Sequence, residues 1–445
     1  MKKYDYIVIG SGPSAYKMVP KLQDGTKKTL IIENEKFGGI CPNFGCEPKI
    51  FLEGTVTSVL ISQKLKGLGI KNPATIDWKQ LIQRKKEVFN SFPNDSATSF
   101  QELGADTLQG TASFVDAHTV MVNDQKYQSD KIIIATGQRP NKLPIVGNEY
   151  ALNSNDVFDL EELPEHVVFI GGGFVSMELA TILRAAGSKV DVIEFADRPL
   201  KAFSKEHVDI VMNEMQSMGI QFYLNNSVSE IKKMSNGYKV ISQQGLELDA
   251  DVVVDASGRI PNIEKLNLDA IGIEYDRQGI IVDENLETSV EGVYALGDVI
   301  KKNVPKLTPT AHFEGEYLGN YLIGKTDKKI VYPVIANAAF TFPQVAQAGV
   351  SLEAALKDNS YSVKDYDLAS MEHVYSGTND MSARLSLIYN SENKLVGVSE
   401  VSQTAADDVN NFVDIIGLGL TKNDIRNKFI PAFPALKYKI RNLID

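Results

Sequence analysis

A pattern that occurs twice constrains this chain more than any other: an apolar strand runs into glycines, then a helix, then a second apolar strand closed by an acid. In the first copy Tyr4 to Ile9 reads as a buried strand, Gly10-Ser11-Gly12-Pro13-Ser14-Ala15 follows, and a helical stretch runs toward Leu22. Thr29 to Ile32 is then a strand ending in Glu33. This is a dinucleotide fingerprint with Ala at its third small position: the glycines allow a tight turn and close approach of a pyrophosphate, which sits on the helix N-terminus. Glu33 stands where an acid accepts from a ribose hydroxyl. The second copy is Val167 to Ile170, Gly171-Gly172-Gly173-Phe174-Val175-Ser176, a helix through Ala186, and a strand Lys189 to Ile193 closed by Glu194. Glu194 suits the free 2'-hydroxyl of NADH and repels the 2'-phosphate of NADPH, whereas Arg198 and Lys201 are able to hold a phosphate; the charge argument puts NADH ahead of NADPH. Two such folds imply two dinucleotides, one held as a prosthetic group and one exchanged.

The chain holds two cysteines in 445 residues, both inside Gly38-Gly39-Ile40-Cys41-Pro42-Asn43-Phe44-Gly45-Cys46-Glu47-Pro48-Lys49. The Pro and Gly between them turn the chain and make disulfide contact feasible without establishing it. The alternatives are a metal pair and two inert core thiols. Two sulfurs without partner ligands make a poor zinc site, so no metal is expected, and inert thiols leave the glycine frame unexplained. With no signal-peptide pattern and no long apolar span, the expectation is the cytoplasm, where a disulfide is transient and catalytic. The balance of 46 Lys+Arg against 57 Asp+Glu gives no general attraction to nucleic acid or to a membrane surface.

Residues 50 to 67 and 77 to 103 read as helices, the second interrupted by Pro93. Thr111 to Val122 alternates as strands do, and Lys131 to Ala135 is an apolar strand leading into Thr136-Gly137. Val252 to Ser257 leads into Gly258-Arg259-Ile260-Pro261-Asn262, and Gly292 to Asp298 is a strand whose acid is placed to hold a polyol or ribose hydroxyl. Leu307-Thr308-Pro309-Thr310 starts a helix with a Thr cap and a Pro in its first turn, aiming N–H groups where a developing anion would be stabilised. From Tyr332 onward there is no Gly-rich loop and no evident nucleophile, which leaves an interface domain by elimination.

Together these motifs resemble the flavin-dependent pyridine nucleotide-disulfide oxidoreductases, the family of glutathione reductase, dihydrolipoamide dehydrogenase and mercuric reductase. The signature is Gly38-Gly39-x-Cys41-x-x-x-Gly45-Cys46-x-Pro48-Lys49, supported in order by Ala135-Thr136-Gly137, Gly171-x-Gly173-x-x-x-x-Glu178 and Tyr294-Ala295-x-Gly297-Asp298. The resemblance implies an α/β fold with two Rossmann-like dinucleotide-binding domains, for FAD and NAD(P), and a C-terminal α+β dimerisation domain that makes a homodimer. The implied boundaries are 1–149 for FAD, 150–265 for NAD(P), 266–331 for the return to the FAD domain and 332–445 for the interface. Carried onto this sequence, Gly10, Gly12, Pro13, Ser14, Ala15 and Glu33 would hold the ADP half of FAD and Asp298 its ribityl chain. Gly39, Ile40, Ala135, Thr136, Gly137, Gly258, Gly297, Leu307, Thr308 and Pro309 complete the implied cofactor-lining set. Gly171, Gly173, Phe174, Val175 and Glu194 are assigned to the nicotinamide nucleotide, with Phe174 where many relatives have a Tyr over that pocket. The family pairs Lys49 with Glu178 near the flavin. Hydride would pass from NAD(P)H to flavin and on to a Cys41-Cys46 disulfide, Cys46 acting as the thiolate beside the flavin and Cys41 as the outer nucleophile.

The departures concern the acceptor. The family ends in a His-Pro-Thr-x-x-Glu motif whose histidine, reaching across the dimer, is the acid/base for the outer thiol. Here that stretch is Phe433-Pro434-Ala435-Leu436-Lys437-Tyr438. Phe433 moves no proton, and Tyr438 replaces the orienting glutamate. His118, His166, His207 and His373 have no evident link to the site, and His312, nearer to it, reads as a packed or hydrogen-bonded histidine. Where glutathione reductases place arginines, this chain has Pro20 and Glu316, which disfavours an acidic tripeptide. Without a third and fourth cysteine, mercuric reductase and large thioredoxin reductase activities are not expected. The reading is an oxidoreductase for a small disulfide, with a non-thiol acceptor (quinone, oxygen or oxidised metal), glutathione itself, and a non-catalytic redox sensor as alternatives.

Overall fold

The computed structural model describes residues 2–444. Along the chain, β1 (Tyr6–Ile9), α1 (Pro13–Leu22) and β2 (Thr29–Glu33) open the fold, followed by α2 (Ile40–Phe44), α3 (Cys46–Lys64), β3 (Asp106–Gln109) and β4 (Ile132–Ile134). The second copy of the pattern is β5 (His166–Ile170), α4 (Phe174–Ala186) and β6 (Lys189–Ile193), with β7 (Gln221–Tyr223) and β8 (Val252–Asp255) beyond it. Then come β9 (Val293–Ala295), α5 (Thr308–Leu322), β10 (Ala336–Ala339), β11 (Gln344–Gly349), β12 (Ser362–Asp367), β13 (Arg384–Tyr389), β14 (Leu395–Ser402) and α6 (Ala405–Leu418). The helical stretch over 77–103, expected to be interrupted at Pro93, is two helices, Trp78–Phe89 and Phe92–Glu102. Pro93 sits in the first turn of the second, where its missing N–H costs no hydrogen bond.

The chain forms two compact units: residues 1–50, 83–141 and 259–332, and residues 51–82, 142–258 and 333–445. In the first, a parallel sheet of order β9-β4-β1-β2-β3 is buried throughout β1 and β4, whose sequences YIVI and III are apolar without alternation, as a sheet covered on both faces requires. On one side of β1 the sheet runs to β2, on the other to β4, so a crevice opens at the C-terminal ends of these strands. Helices α1 and α5 pack closely because α5 carries Gly315, where a Cβ would come 2.2 Å from the Ser14 carbonyl oxygen.

The second unit repeats the arrangement in a parallel sheet of order β7-β6-β5-β8. It also contains an antiparallel sheet of order β10-β11-β14-β13-β12. Val409, Phe412 and Ile415 of α6 cover that sheet through Leu385, Leu387 and Val398. No helix among the described residues is long and apolar enough to cross a membrane.

Candidate functional site

The first unit gathers its polar loops at the ends of β1, β2, β4 and β9. Gly10, at φ +106, approaches β4 so closely that a Cβ would lie 2.3 Å from the Ala135 carbonyl oxygen. Gly39, at φ +70, would meet the Gly12 Cα at 2.8 Å. Gly12 is the N-cap of α1 and supplies no side-chain cap, and Pro13 follows it, so the first N–H groups of the helix are left for an anion. The buried Glu33 accepts from the Ser11 hydroxyl at 2.6 Å and the Ser11 amide at 3.1 Å, and its other oxygen accepts from Glu35 N–H at 2.9 Å. Ser11 Oγ in turn accepts from Gly38 N–H at 3.0 Å, which ties Glu33 to the cysteine segment. The loop after β4 is pinned by paired bonds of 2.8 Å between Thr136 and Asn262.

At the end of β9, Asp298 Oδ1 is buried with no hydrogen-bond partner among the described residues. Such an orphaned acceptor matches a polyol hydroxyl. Lys306 Nζ bonds the Asp298 carbonyl oxygen at 2.9 Å, and burial pushes its pKa down. Beneath the turn, the fully buried Glu314 of α5 accepts from Gly297 N–H at 2.6 Å, Lys302 Nζ at 2.8 Å and the Tyr332 hydroxyl at 2.7 Å. A cradle of glycines, an uncapped helix start, an acid for a ribose and an unpartnered acid for a polyol together fit FAD.

Short helix α2 carries Cys41, and α3 begins at Cys46. Both are thiols in the structure. The hydrogen bond to the Cys46 sulfur holds the Cys41 pKa far above the ordinary thiol value, with burial adding to it. Helix α5 departs from expectation: its N-cap is Leu307, with no side-chain cap, and Thr308 is already helical. Released from capping, the Thr308 hydroxyl lies 3.5 Å from Cys46 Sγ, and it also hydrogen-bonds Cys41. The positive end of the α5 dipole therefore falls on the thiol pair. Half-buried Arg259, whose side chain donates to the Gln138 carbonyl oxygen at 2.9 Å, has its pKa lowered by desolvation, opposed by the charges of Asp298 and Cys46. The two sulfurs thus form one coupled pair at the positive end of α5, in which a proton lost from one is held by the other. Lys49 follows on α3, its amide bonded to the Gly45 carbonyl oxygen at 3.1 Å. An open groove of about 500 Å³ runs along α1 and α5, lined by Tyr16, Lys17, Pro20, Lys21, Glu102 and Glu316 among others.

In the second unit, Gly171 (φ +101) stands where a Cβ would come 2.7 Å from the Ala256 carbonyl oxygen, and Gly173 is the N-cap of α4 without a side-chain cap. Glu194 is fixed by backbone donors: Ala196 N–H at 2.7 Å on one oxygen, Gly172 N–H on the other. Phe174 is 48% exposed and Val175 half-buried, at the start of α4. Buried Glu178 accepts from Phe340 N–H at 2.8 Å. Gly258, at φ +140, has open space around it. Arg198 and Lys201, the two cations that blurred the nucleotide reading, are both engaged. Arg198 is 7% exposed, pairs with Glu353 and donates to the Phe203 carbonyl oxygen at 3.0 Å. Lys201 pairs with Asp197.

Phe433 is 68% exposed and its ring meets Tyr438 edge-on at 5.1 Å. Among the described residues no group of three or more His, Cys, Asp or Glu is placed to hold a metal. Sequence reasoning missed Ser11, Arg259 and Glu314. Ser11 lay at a variable position of the fingerprint and Arg259 inside the Gly258 to Asn262 segment, so both carried a signal; Glu314 carried only an acid in a helix.

Family models place these sites in context. One described as pyridine nucleotide-disulphide oxidoreductase matches residues 4–315, and its dimerisation domain matches residues 335–443. The chain is 28% identical to a glutathione reductase of Nostoc sp., over 95% of each chain. It is 27% identical to a dihydrolipoyl dehydrogenase of Mycoplasma pneumoniae (96% of this chain, 95% of that one) and 28% identical to a mercuric reductase of Staphylococcus aureus (96% and 80%). Its fold matches the HOCl-induced flavoprotein disulfide reductase RclA from Escherichia coli, with TM-score 0.88, 24% identity and 99% of each chain covered. A Cu(II) complex of that protein matches with TM-score 0.88 at 23% identity, over 98% of each chain.

Proposed function

We propose that this chain, which belongs to the pyridine nucleotide-disulphide oxidoreductase family, uses FAD and preferably NADH to reduce a small disulfide other than glutathione through Cys41 and Cys46. The observation that carries the reading is the thiol pair held against the first turn of α5, in contact with the Thr308 hydroxyl. Bound flavin supplies the two-electron link between nicotinamide and thiols. The protein's residues do the rest. The α1 N-terminus and Glu33 bind the ADP half, Asp298 holds a ribityl hydroxyl, and the α5 N-terminus favours negative charge at Cys46. Cys41, half-buried, is the sulfur that meets the acceptor.

NADH is favoured because Glu194 is anchored at the ribose end of β6, while Arg198 is spent on Glu353 and backbone carbonyls. For the acceptor, Pro20 and Glu316 line one groove, and neither offers a guanidinium to a glutathione carboxylate. We assign residues 1–149 and 266–331 to the flavin domain, 150–265 to the nucleotide domain and 332–445 to the interface of a homodimer, in keeping with the dimerisation match over 335–443. A second reading, a non-thiol acceptor such as a quinone, oxygen or an oxidised metal ion, draws on exposed Phe433 at the position of the family's acid/base. Turnover of NADH and NADPH against small disulfides, glutathione disulfide, quinones and Cu(II), with Cys41→Ser beside the wild type, tests these assignments. Disulfide reduction that Cys41→Ser abolishes is expected. Turnover of quinone or Cu(II) alone, untouched by Cys41→Ser, sinks the disulfide reading.

A further inference from the structure

The charges around the thiol pair have opposite signs. The α5 N-terminus and Arg259 bring positive potential to Cys46, whereas Glu47 brings a negative charge to Cys41. Glu47 directly follows Cys46 in the first turn of α3. Both residues are exposed, and the next one, Pro48, is buried. Among the described residues the Glu47 carboxylate has no hydrogen-bond or ion-pair partner. Lys49 stands two positions along α3, a spacing at which helical side chains do not face each other, and Lys36 lies over the Phe44 ring at 4.5 Å. The Glu47 charge therefore reaches Cys41 without a cation to cancel it. There it adds to the upward push that the Cys46 hydrogen bond and burial exert on that thiol. The formal charge of -11 on the whole chain contributes a field of the same sign at longer range.

We propose that Glu47 selects the acceptor by charge, favouring at Cys41 a disulfide that carries positive charge over one that carries negative charge; the assignment rests on the disulfide-reductase reading. The step at stake is attack of the Cys41 thiolate on one sulfur of R–S–S–R. A Cys41–S–S–R bond forms as the acceptor S–S bond breaks, and the departing R–S⁻ takes a proton from water. Cys46 thiolate then attacks the Cys41 sulfur, closing the Cys41-Cys46 disulfide and freeing the second R–S⁻. The acceptor gains two electrons and the cysteine pair loses two. In each attack negative charge is spread over the sulfurs in line. An ammonium on R offsets that charge and is drawn to Glu47, whereas a carboxylate on R meets both as a like charge. A carboxylate in the first turn of a helix also steadies the helix through its dipole. That structural role is indifferent to the charge on the acceptor, and this difference separates the two.

The test compares wild type with Glu47→Gln by ratios, so that intrinsic differences between reagents cancel. In flavin-loaded protein with NADH, kcat/KM is measured for cystamine, which carries two ammonium groups, for uncharged hydroxyethyl disulfide and for dithiodiglycolate, which carries two carboxylates. In flavin-loaded protein reduced by NADH, Cys41 is alkylated with iodoacetate and with uncharged iodoacetamide, the site of labelling being read by peptide mass spectrometry. Glu47→Gln is expected to lower the preference for cystamine over dithiodiglycolate, and to raise the iodoacetate-to-iodoacetamide ratio, by about threefold or more. Raising salt from about 0.01 M to about 1 M should compress both preferences in wild type, a reading that needs no variant. Ratios that Glu47→Gln leaves unchanged overturn the assignment, whether or not salt moves them. If the variant does not fold, wild-type ratios that salt leaves unchanged overturn it. An alkylation ratio that shifts in Glu47→Gln while no disulfide is consumed overturns the disulfide reading and upholds Glu47 as the charge at Cys41.

Discussion

Replacing Glu314 tests how the flavin side is held together. Its carboxylate is fully buried and takes three donors: Gly297 N–H, Lys302 Nζ and the Tyr332 hydroxyl. In Glu314→Ala the Lys302 ammonium, whose side chain is 4% exposed, loses its counter-charge. Breaking one side of a buried ion pair costs about 3–5 kcal/mol. The Gly297 amide, left without its acceptor, adds about 1–3 kcal/mol if water does not replace it. Since that amide begins the turn bearing Asp298, the loss extends to flavin retention. Glu314→Gln keeps an acceptor but points an amide N–H at one of three donors, so it falls between. Adding Lys302→Met to Glu314→Ala removes the stranded charge and should recover part of the loss. The assay is urea unfolding of apo-protein by circular dichroism, paired with flavin release followed by fluorescence. A Glu314→Ala variant within about 0.5 kcal/mol of wild type, the range of an ordinary surface change, would refute the reasoning. So would a double variant no milder than the single.

Other changes follow from single contacts. Gly10→Ala places a Cβ 2.3 Å from the Ala135 carbonyl oxygen at φ +106, so the purified variant should carry little flavin; a normal flavin-to-protein absorbance ratio would contradict this. Arg198→Ala should lower the melting temperature without selectively lowering kcat/KM for NADPH, because the guanidinium is occupied by Glu353 and the Phe203 carbonyl; a selective NADPH loss would make it a phosphate ligand after all. Burial, then the Asp408 charge, raises the Glu400 pKa, and burial raises that of Asp408. A folded-state pKa above the unfolded one gives stability that is present at low pH and lost as pH rises, at up to about 1.4 kcal/mol per pH unit for one group. Glu400→Gln should therefore be stabilising relative to wild type by an amount that grows from about pH 5 to pH 8; denaturant midpoints that stay in parallel would contradict this.

The two strand-glycine-helix copies were legible because buried parallel strands are apolar without alternation and the glycines have backbone reasons to be there. Gly10 and Gly171 each face a carbonyl that a side chain would strike. The parallel sheets around β1 and β5 follow from that. Less legible was what a side chain does once freed from a local role. Thr308 read as an N-cap because Thr before a helical Pro does so often; Leu307 takes the position by backbone geometry, and the hydroxyl turns to sulfur. Arg198 read as a possible phosphate ligand by charge and spacing alone, since its partner Glu353 lies 155 residues away in sequence. Glu314 was invisible for the same reason: Gly297, Lys302 and Tyr332 meet it only after α5 folds against the β9 turn. The last-step chemistry was legible mainly as a loss, Phe433 for a histidine.

The central claim, that electrons reach the acceptor through Cys41 and Cys46, is tested most directly by anaerobic titration of the flavin-loaded protein with NADH, watched in the visible spectrum. The account predicts that the first two electrons leave flavin absorbance largely in place and raise a long-wavelength band from a thiolate beside flavin. Cys46→Ser should remove that band, and Cys41→Ser should retain a thiolate band even before NADH is added. Bleaching of flavin by the first equivalent with no such band, in wild type and both variants alike, would contradict it.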